Sequence, residues 1–294
     1  MPEEAWPELP YEAWKDSLDT LHMVTQIVGK VRLALTPFEP QWANVPLYLT
    51  ARGLTTTPMS VNGKTFQIDI DLIGHEVLVL TTRGDLRRIT LTARPVADFY
   101  RDFTATLRSL AIDVKITPRP SEVSDPILFA EDTRHSTYDP TWVTRFFDVL
   151  SRIDIVFKEY RAPFRGKTSL VNFFWGSFDL ALTRYSGRAV KPRQNAGVIE
   201  RKGGDAEVIC AGFWPGNARV PAPNFFGYAA PAPSGIEKEA VRPAGARWDP
   251  AIKEFLLPYD DVRKAAYPRQ EILDFCESVY SAAARLGHWD EGLI

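Results

Sequence analysis

The spacing of apolar residues switches from helical to alternating and back again twice along this chain of 294 residues, a pattern met by helices combined with antiparallel strands. In the first half, Trp14, Leu18, Leu21, His22, Thr25 and Val28 recur at three- and four-residue steps, which predicts a helix over 11–28. Gly29 then reads as its C-cap, with Lys30 just beyond. Alternation takes over at Val31, Leu33 and Leu35, a strand pattern that Pro37 and Pro40 break. Further strands are expected over 45–52, 66–72, 77–82 and 87–93, with turns at Gly74-His75 and Gly84-Asp85. Pro95 opens a second helix running to about residue 111. Residues 117–140 are rich in proline, aspartate and serine and read as a connector. The second half repeats the order: a helix over 141–160, strands within 169–185, a polar glycine-bearing loop over 187–205 and a strand over 208–213. A proline-rich stretch, 214–258, holds two more strands at FFGYAA and EFLL, and a last helix spans 269–286. The expected fold is α+β. Two similar halves, 1–116 and 141–294, would each be an antiparallel sheet flanked by helices.

That symmetry suggests an internal duplication. Trp42 to Thr50 lies over Trp175 to Thr183 without a gap, matching the tryptophan, both leucines and the threonine. Each block follows a helix and a Gly-Lys pair, at Gly29-Lys30 and at Gly166-Lys167. Two amphipathic strands share alternating leucines by chance as well, so both explanations stay open.

Charge removes several functions. Lys plus Arg total 35 against 37 for Asp plus Glu, and a general nucleic-acid binder needs a basic surface. The acidic start, MPEEAWPELPYEAWKD, has no basic and apolar signal regions, and no apolar run approaches the length of a membrane helix. Cys210 and Cys276 are too few and too far apart for a disulfide framework or a metal knuckle. The expectation is a cytoplasmic protein without nucleic-acid or membrane partners and without a resident cofactor.

Strand parity points to a pocket. On a strand, side chains two apart share a face, so Trp175, Ser177, Asp179, Ala181, Thr183 and Tyr185 stand opposite Phe178, Leu180 and Leu182. The first set mixes small, polar and aromatic groups, as a ligand cleft does; a plain solvated sheet face is the simpler alternative. The first half offers a similar row in Trp42, Asn44, Tyr48, Thr50 and Arg52. Phe213 and Trp214, in the segment CAGFWPG, add rings beside glycines. The expected site lies between the halves, with Trp42, Trp175, Thr183, Arg184, Phe213, Trp214 and Tyr259 binding a small organic ligand. Asp179, His135 and Tyr138 are its candidate catalytic groups, the last two closing the cleft from the connector. Asp139-Pro140 reads more simply, as an N-cap and first position of the following helix.

Catalytic motifs are scarce. Gly166-Lys167-Thr168 ends like a phosphate loop, but Arg161 stands where its first glycine belongs. The four histidines have no His or Cys at ligand spacing. Asp69 and Asp71 share a strand face with His75 just beyond, a candidate divalent-metal or acid–base set; equally, Phe66, Ile68, Ile70 and Leu72 face inward and the aspartates face water.

The segments FFWGSFDLALTRYSGR, AGFWPG and EFLLPYDDVR, with the opening WPELPYEAWKDSLDTLHMVTQIVGKVRLAL and VPLYLTARGLTT, resemble a bacterial family known only as a domain of unknown function. The likeness covers nearly the whole chain and implies no activity. It implies histidines in relatives where this chain has Asn172 and near Ala206, so a metal site built on them would be missing here. Three functions therefore stand open: a small-molecule binder that is also an enzyme or is not, a non-catalytic protein-interaction module, and a metal-dependent enzyme using Asp69, Asp71 and His75. Oligomeric state is not legible.

Overall fold

A computed structural model describes residues 5–294; the first four residues of the acidic start lie outside the described residues. The first helix, α1 (Tyr11–Leu35), does not stop at Gly29. Val24, Ile27, Val28 and Val31 are all buried and carry the helical period onward, so the alternation over 31–35 belongs to the last turns of a helix rather than to a strand. Gly29 serves packing instead of capping: a Cβ there would lie 2.3 Å from the Trp175 indole. Residues 23–32 of α1 are buried without interruption, the mark of a helix enclosed on every side.

A run of short strands follows: β1 (Tyr48–Leu49), β2 (Gly53–Thr55), β3 (Met59–Val61), β4 (Lys64–Asp71), β5 (Glu76–Thr81) and β6 (Leu86–Thr90). They form an antiparallel sheet in the order β1-β2-β4-β5-β6, with β3 also paired to β4. Ile68 opposite Val79 and Ile70 opposite Val77 turn its apolar face inward. The expected single strand over 45–52 is only β1, because the chain bends at 51–52 before entering β2. Helix α2 (Val96–Ser109) buries Val96, Phe99, Phe103 and Leu107, and the connector beyond it holds only a 3-10 turn at Phe129–Glu131.

Helix α3 (Pro140–Arg161) begins as its spacing predicts, with Thr141 N–H donating to Asp139 Oδ1 at 2.8 Å and Pro140 in the first turn. The second half then supplies β7 (Asn172–Phe174), β8 (Asp179–Ala189), the short α4 (Val198–Gly203), β9 (Ala206–Trp214), β10 (Asn224–Ala230), β11 (Arg247–Asp249) and β12 (Glu254–Pro258). Two helices close the chain, α5 (Tyr259–Lys264) and α6 (Pro268–Leu286). The second sheet runs β11-β12-β10-β9-β8-β7, antiparallel throughout, so the protein is α+β with a sheet in each half. Helices α3 and α6 pack on one face of it.

The two sheets meet edge to edge. Leu47, just before β1, and Phe173 in β7 exchange both backbone hydrogen bonds, at 3.0 and 2.9 Å. The main buried core runs through both halves, from Trp6 to Ala283. Both halves share an order of helix, antiparallel strands, helix, but the gapless overlay is out of step with it. The overlay puts β1 on Ala181-Leu182 in the middle of β8, whereas the strand following α3 is β7. Gly29-Lys30 likewise lies inside α1 while Gly166-Lys167 follows the end of α3. Among the described residues no helix is long and apolar enough to cross a membrane.

Candidate functional site

Strand β8 alternates cleanly between two environments. Leu180, Leu182 and Arg184 point to the side covered by helices, and Asp179, Ala181, Thr183 and Tyr185 point to the other, where no helix lies. Register carries that second face across the sheet. Thr183 stands opposite Cys210 and Cys210 opposite Tyr228; Ala181 stands opposite Gly212, Gly212 opposite Phe226, and Phe226 opposite Leu256. Gly212 is required where it is, because a Cβ there would come within 2.1 Å of the Phe226 ring. With that ring lying over Gly212, Trp214, Phe226 and Tyr228 form a stacked row, with centroids 5.0 and 6.3 Å apart and planes within 22°. The loop over 216–220 and Glu122 of the connector flank the floor, with Gln41 beside them, and the cavity, partly open to solvent, is about 520 Å³. That is the size of an ordinary small-molecule site.

Three carboxyl groups face this space. Asp179 is only 7% exposed; burial pushes its pKa up to about 7 against the hydrogen bond from the Ser177 hydroxyl, and nearby Glu122 adds to the rise. Glu254, at the start of β12, is also raised to about 7, by burial first and then by the negative charge of Asp179. Glu122 stands at the solvent side of the cavity, and the protein around its carboxyl raises its pKa too. Its backbone sits at φ 59, a conformation that costs a non-glycine residue about 1 kcal/mol or more and tends to persist at working sites. Two buried polar atoms on the cavity residues, Glu254 Oε2 and Trp214 Nε1, have no hydrogen-bond partner. The Cys210 thiol, beside the Thr183 and Tyr228 hydroxyls, is pushed up to about 12 by burial, which keeps it protonated and a poor nucleophile.

Of the expected site residues, Asp179, Thr183 and Trp214 come together here. Trp175 lies beneath, its indole against α1 and its Nε1 donating to the Val45 carbonyl at 3.0 Å. Arg184 is on the helix side, because its even number on β8 puts it out of phase with Asp179; its guanidinium is enclosed by Tyr160, Phe164 and Tyr280 and paired with Glu277 at 3.0 Å. Phe213 is out of phase with Trp214 in the same way and packs on Phe225 and Tyr259. Tyr259 is buried with its hydroxyl donating to the Pro7 carbonyl at 2.7 Å. Trp42 packs beside α4, its Nε1 bonded to the Ile199 carbonyl at 2.9 Å, and leaves the rim to its neighbour Gln41.

His135 lines a neighbouring cavity of about 900 Å³ that shares Glu122, Asn217 and Arg219 with the first. Its Nδ1 lies 2.6 Å from Asp132 Oδ2. Burial alone would raise Asp132, but the hydrogen bonds from His135 hold it below the usual carboxylate range. His22 is in the same cavity, kept neutral by burial with its pKa lowered to about 4. Tyr138 lies elsewhere, its hydroxyl 2.9 Å from His75 Nδ1. Asp71 does not face water as expected: it is buried, and its carboxylate takes Arg52 Nε at 2.7 Å and the Ile73 and Gly74 amides. Asp69 receives the Gln67 amide instead. Among the described residues no three metal-ligating side chains are grouped. Asn172 pairs with Ala181 and Ala206 with Ala189, at opposite ends of β8. At about 3.3 Å per residue, histidines at those two positions would be too far apart to share an ion.

Glu254, Cys210 and Glu122 are not indicated by the sequence patterns above. Glu254 had a readable signal, a charge two residues before Leu256 and out of phase with the buried Phe255 and Leu257. Glu122 had none, since its place depends on how the connector folds back.

No match to the chain was found among curated proteins or among solved structures. A family model described as a family of unknown function, DUF5996, matches residues 6–294, nearly the whole chain, and the protein belongs to that family.

Proposed function

We propose that this protein binds a small organic molecule on the uncovered face of its second sheet, with Asp179 and Glu254 as an acid–base pair at the bound molecule. The observation that carries the reading is that β8 and β12 each bring a buried carboxyl to one concave, ring-lined face. With pKa values raised to about 7, the pair holds and releases protons near neutrality, as groups that donate and accept protons in catalysis do. Whatever reaction follows, the ligand's body would lie along Trp214, Phe226 and Tyr228. An interaction module would show large exposed rings and no concavity. The exposed rings are two, Phe38 and Tyr267, neither of them lining this cavity, and none of the eight tryptophans is among the exposed large side chains, which favours the ligand reading.

A thermal-shift screen of small organic molecules on the wild type and on Asp179→Asn tests this. Compounds that raise the melting temperature of the wild type by several degrees and leave the variant unmoved are the expected result. Shifts of equal size in both proteins would take the cavity out of the account.

A further inference from the structure

We propose that the ligand is an organic cation, an amine carrying an apolar body and at least one hydrogen-bond acceptor; this rests on the cavity reading above and narrows it. The charge lining the cavity is one-sided. Glu122, Asp179 and Glu254 face the space, against a single cation, Arg219, which is exposed on the loop and donates through Nη2 to the Ala251 carbonyl at 3.2 Å. No lysine lines it. Asp179 and Glu254 repel each other's charge, and Glu122 acts on Asp179 in the same sense. A neutral ligand leaves that repulsion in place and an anion worsens it, whereas a cation relieves all three at once.

The unsatisfied atoms give the second line of argument. Six buried side-chain nitrogens and oxygens lack a partner among the described residues, and two of them, Glu254 Oε2 and Trp214 Nε1, belong to residues that line this one cavity. A ligand that satisfies both must present a donor to the carboxylate and an acceptor to the indole N–H. Between them, Phe226 and Ala181 offer an apolar surface in a small cluster of their own, separate from the main core. The approach is also negative. The neighbouring cavity shares Glu122 and Arg219 and adds Asp16, Asp19 and Asp125 against Arg134, which pairs with Asp125, and His135. A cleft in which carboxylates outnumber cations favours a cationic ligand's approach.

Calorimetry with probes that differ only in charge tests this. Two skeletons serve: phenoxyethylamine, phenoxyethanol and phenoxyacetate, and glucosamine, glucose and glucuronate. Each is titrated at pH 7 in phosphate and again in HEPES, so that proton exchange with the buffer is read from the difference. The amine of at least one skeleton is expected to bind ten times more tightly than its alcohol or carboxylate. It should also release protons, because a cation lowers the pKa of Asp179 and Glu254. Asp179→Asn should weaken that binding tenfold or more and reduce the release; Glu254→Gln makes the same comparison if the first variant does not fold. Tighter, Asp179-dependent binding of an alcohol or carboxylate would overturn the cation and leave the cavity reading standing. Absence of Asp179-dependent binding for all six probes would overturn both.

Discussion

On one face of β8 the Arg184 side chain is wholly buried, and on the other the Asp179 carboxyl is 7% exposed. The arginine is matched in charge, although its Nε has no hydrogen-bond partner. Glu277 pairs with it, the Tyr160 carbonyl accepts from it, and three aromatic rings enclose it. The aspartate is not matched by any cation. It has the Ser177 hydroxyl, and its nearest charges are other carboxylates. A buried charge with an opposite charge beside it can hold a fold together, and one without raises the free energy of the folded state. The face covered by helices is therefore the structural half of the second sheet, and the open face is the half that the proposed ligand would occupy.

Removing the matched charge should have the largest effect. Arg184→Ala empties the space between Tyr160, Phe164 and Tyr280 and is expected to lower stability by ~4 kcal/mol in urea unfolding. A loss below ~1 kcal/mol would mean that the arginine is not structural. Next comes the joint that seats the turn before β8. Gly29→Ala pushes a methyl into the Trp175 indole and should cost about 2 kcal/mol, since neither the helix nor the enclosed ring can retreat. An unchanged melting temperature would show that this packing is loose.

Asp179→Asn should act in the opposite direction, and only above acidic pH. At pH values below about 4 both the folded and unfolded chain hold the proton, so the wild type has no buried charge to bear. Between the unfolded value of about 4 and the folded value of about 7, the unfolded chain ionises while the native protein keeps its proton, so stability falls across that window and levels off above it, where the native group carries a buried charge. The variant cannot ionise there and should be the more stable protein at pH 8, with the gap vanishing near pH 4. His22, lowered to about 4, works the other way, costing stability as pH falls below its ordinary value, but it does so in both proteins and cancels. A gap independent of pH would remove the unmatched charge from the account. The smallest effect is expected from Asp139→Ala, which uncaps α3 on the structural face, at about 1 kcal/mol. It should leave the Asp179 titration where it is, because the cap lies on the far side of the sheet's covering helices.

Much of this was readable in advance wherever a single period decides. The alternation over β8 predicted that Ser177, Asp179, Ala181 and Thr183 share a face, and they line one cavity. The same parity, applied strictly, puts Arg184 and Phe213 on the opposite face. Chemical suitability alone favours those two residues for a site, and strand phase does not. Residues 31–35 show the converse limit, since five residues with apolar groups at every second place fit a strand or the end of a buried helix equally well. What separates the two is Trp175, 146 positions away from Gly29 in number and in contact with it in space. Glu122 was illegible for the same reason. A left-handed residue in a connector has its place set by what the connector packs against.

The most direct test of the unmatched pair is a carbon-13 NMR titration of the aspartate and glutamate side-chain carboxyls, with Asp179→Asn and Glu254→Gln supplying the assignments. Two carboxyls with apparent midpoints near 7 are predicted, each falling when the other is made neutral. Midpoints near 4 for both, unmoved by either substitution, would contradict it and leave the open face an ordinary solvated surface.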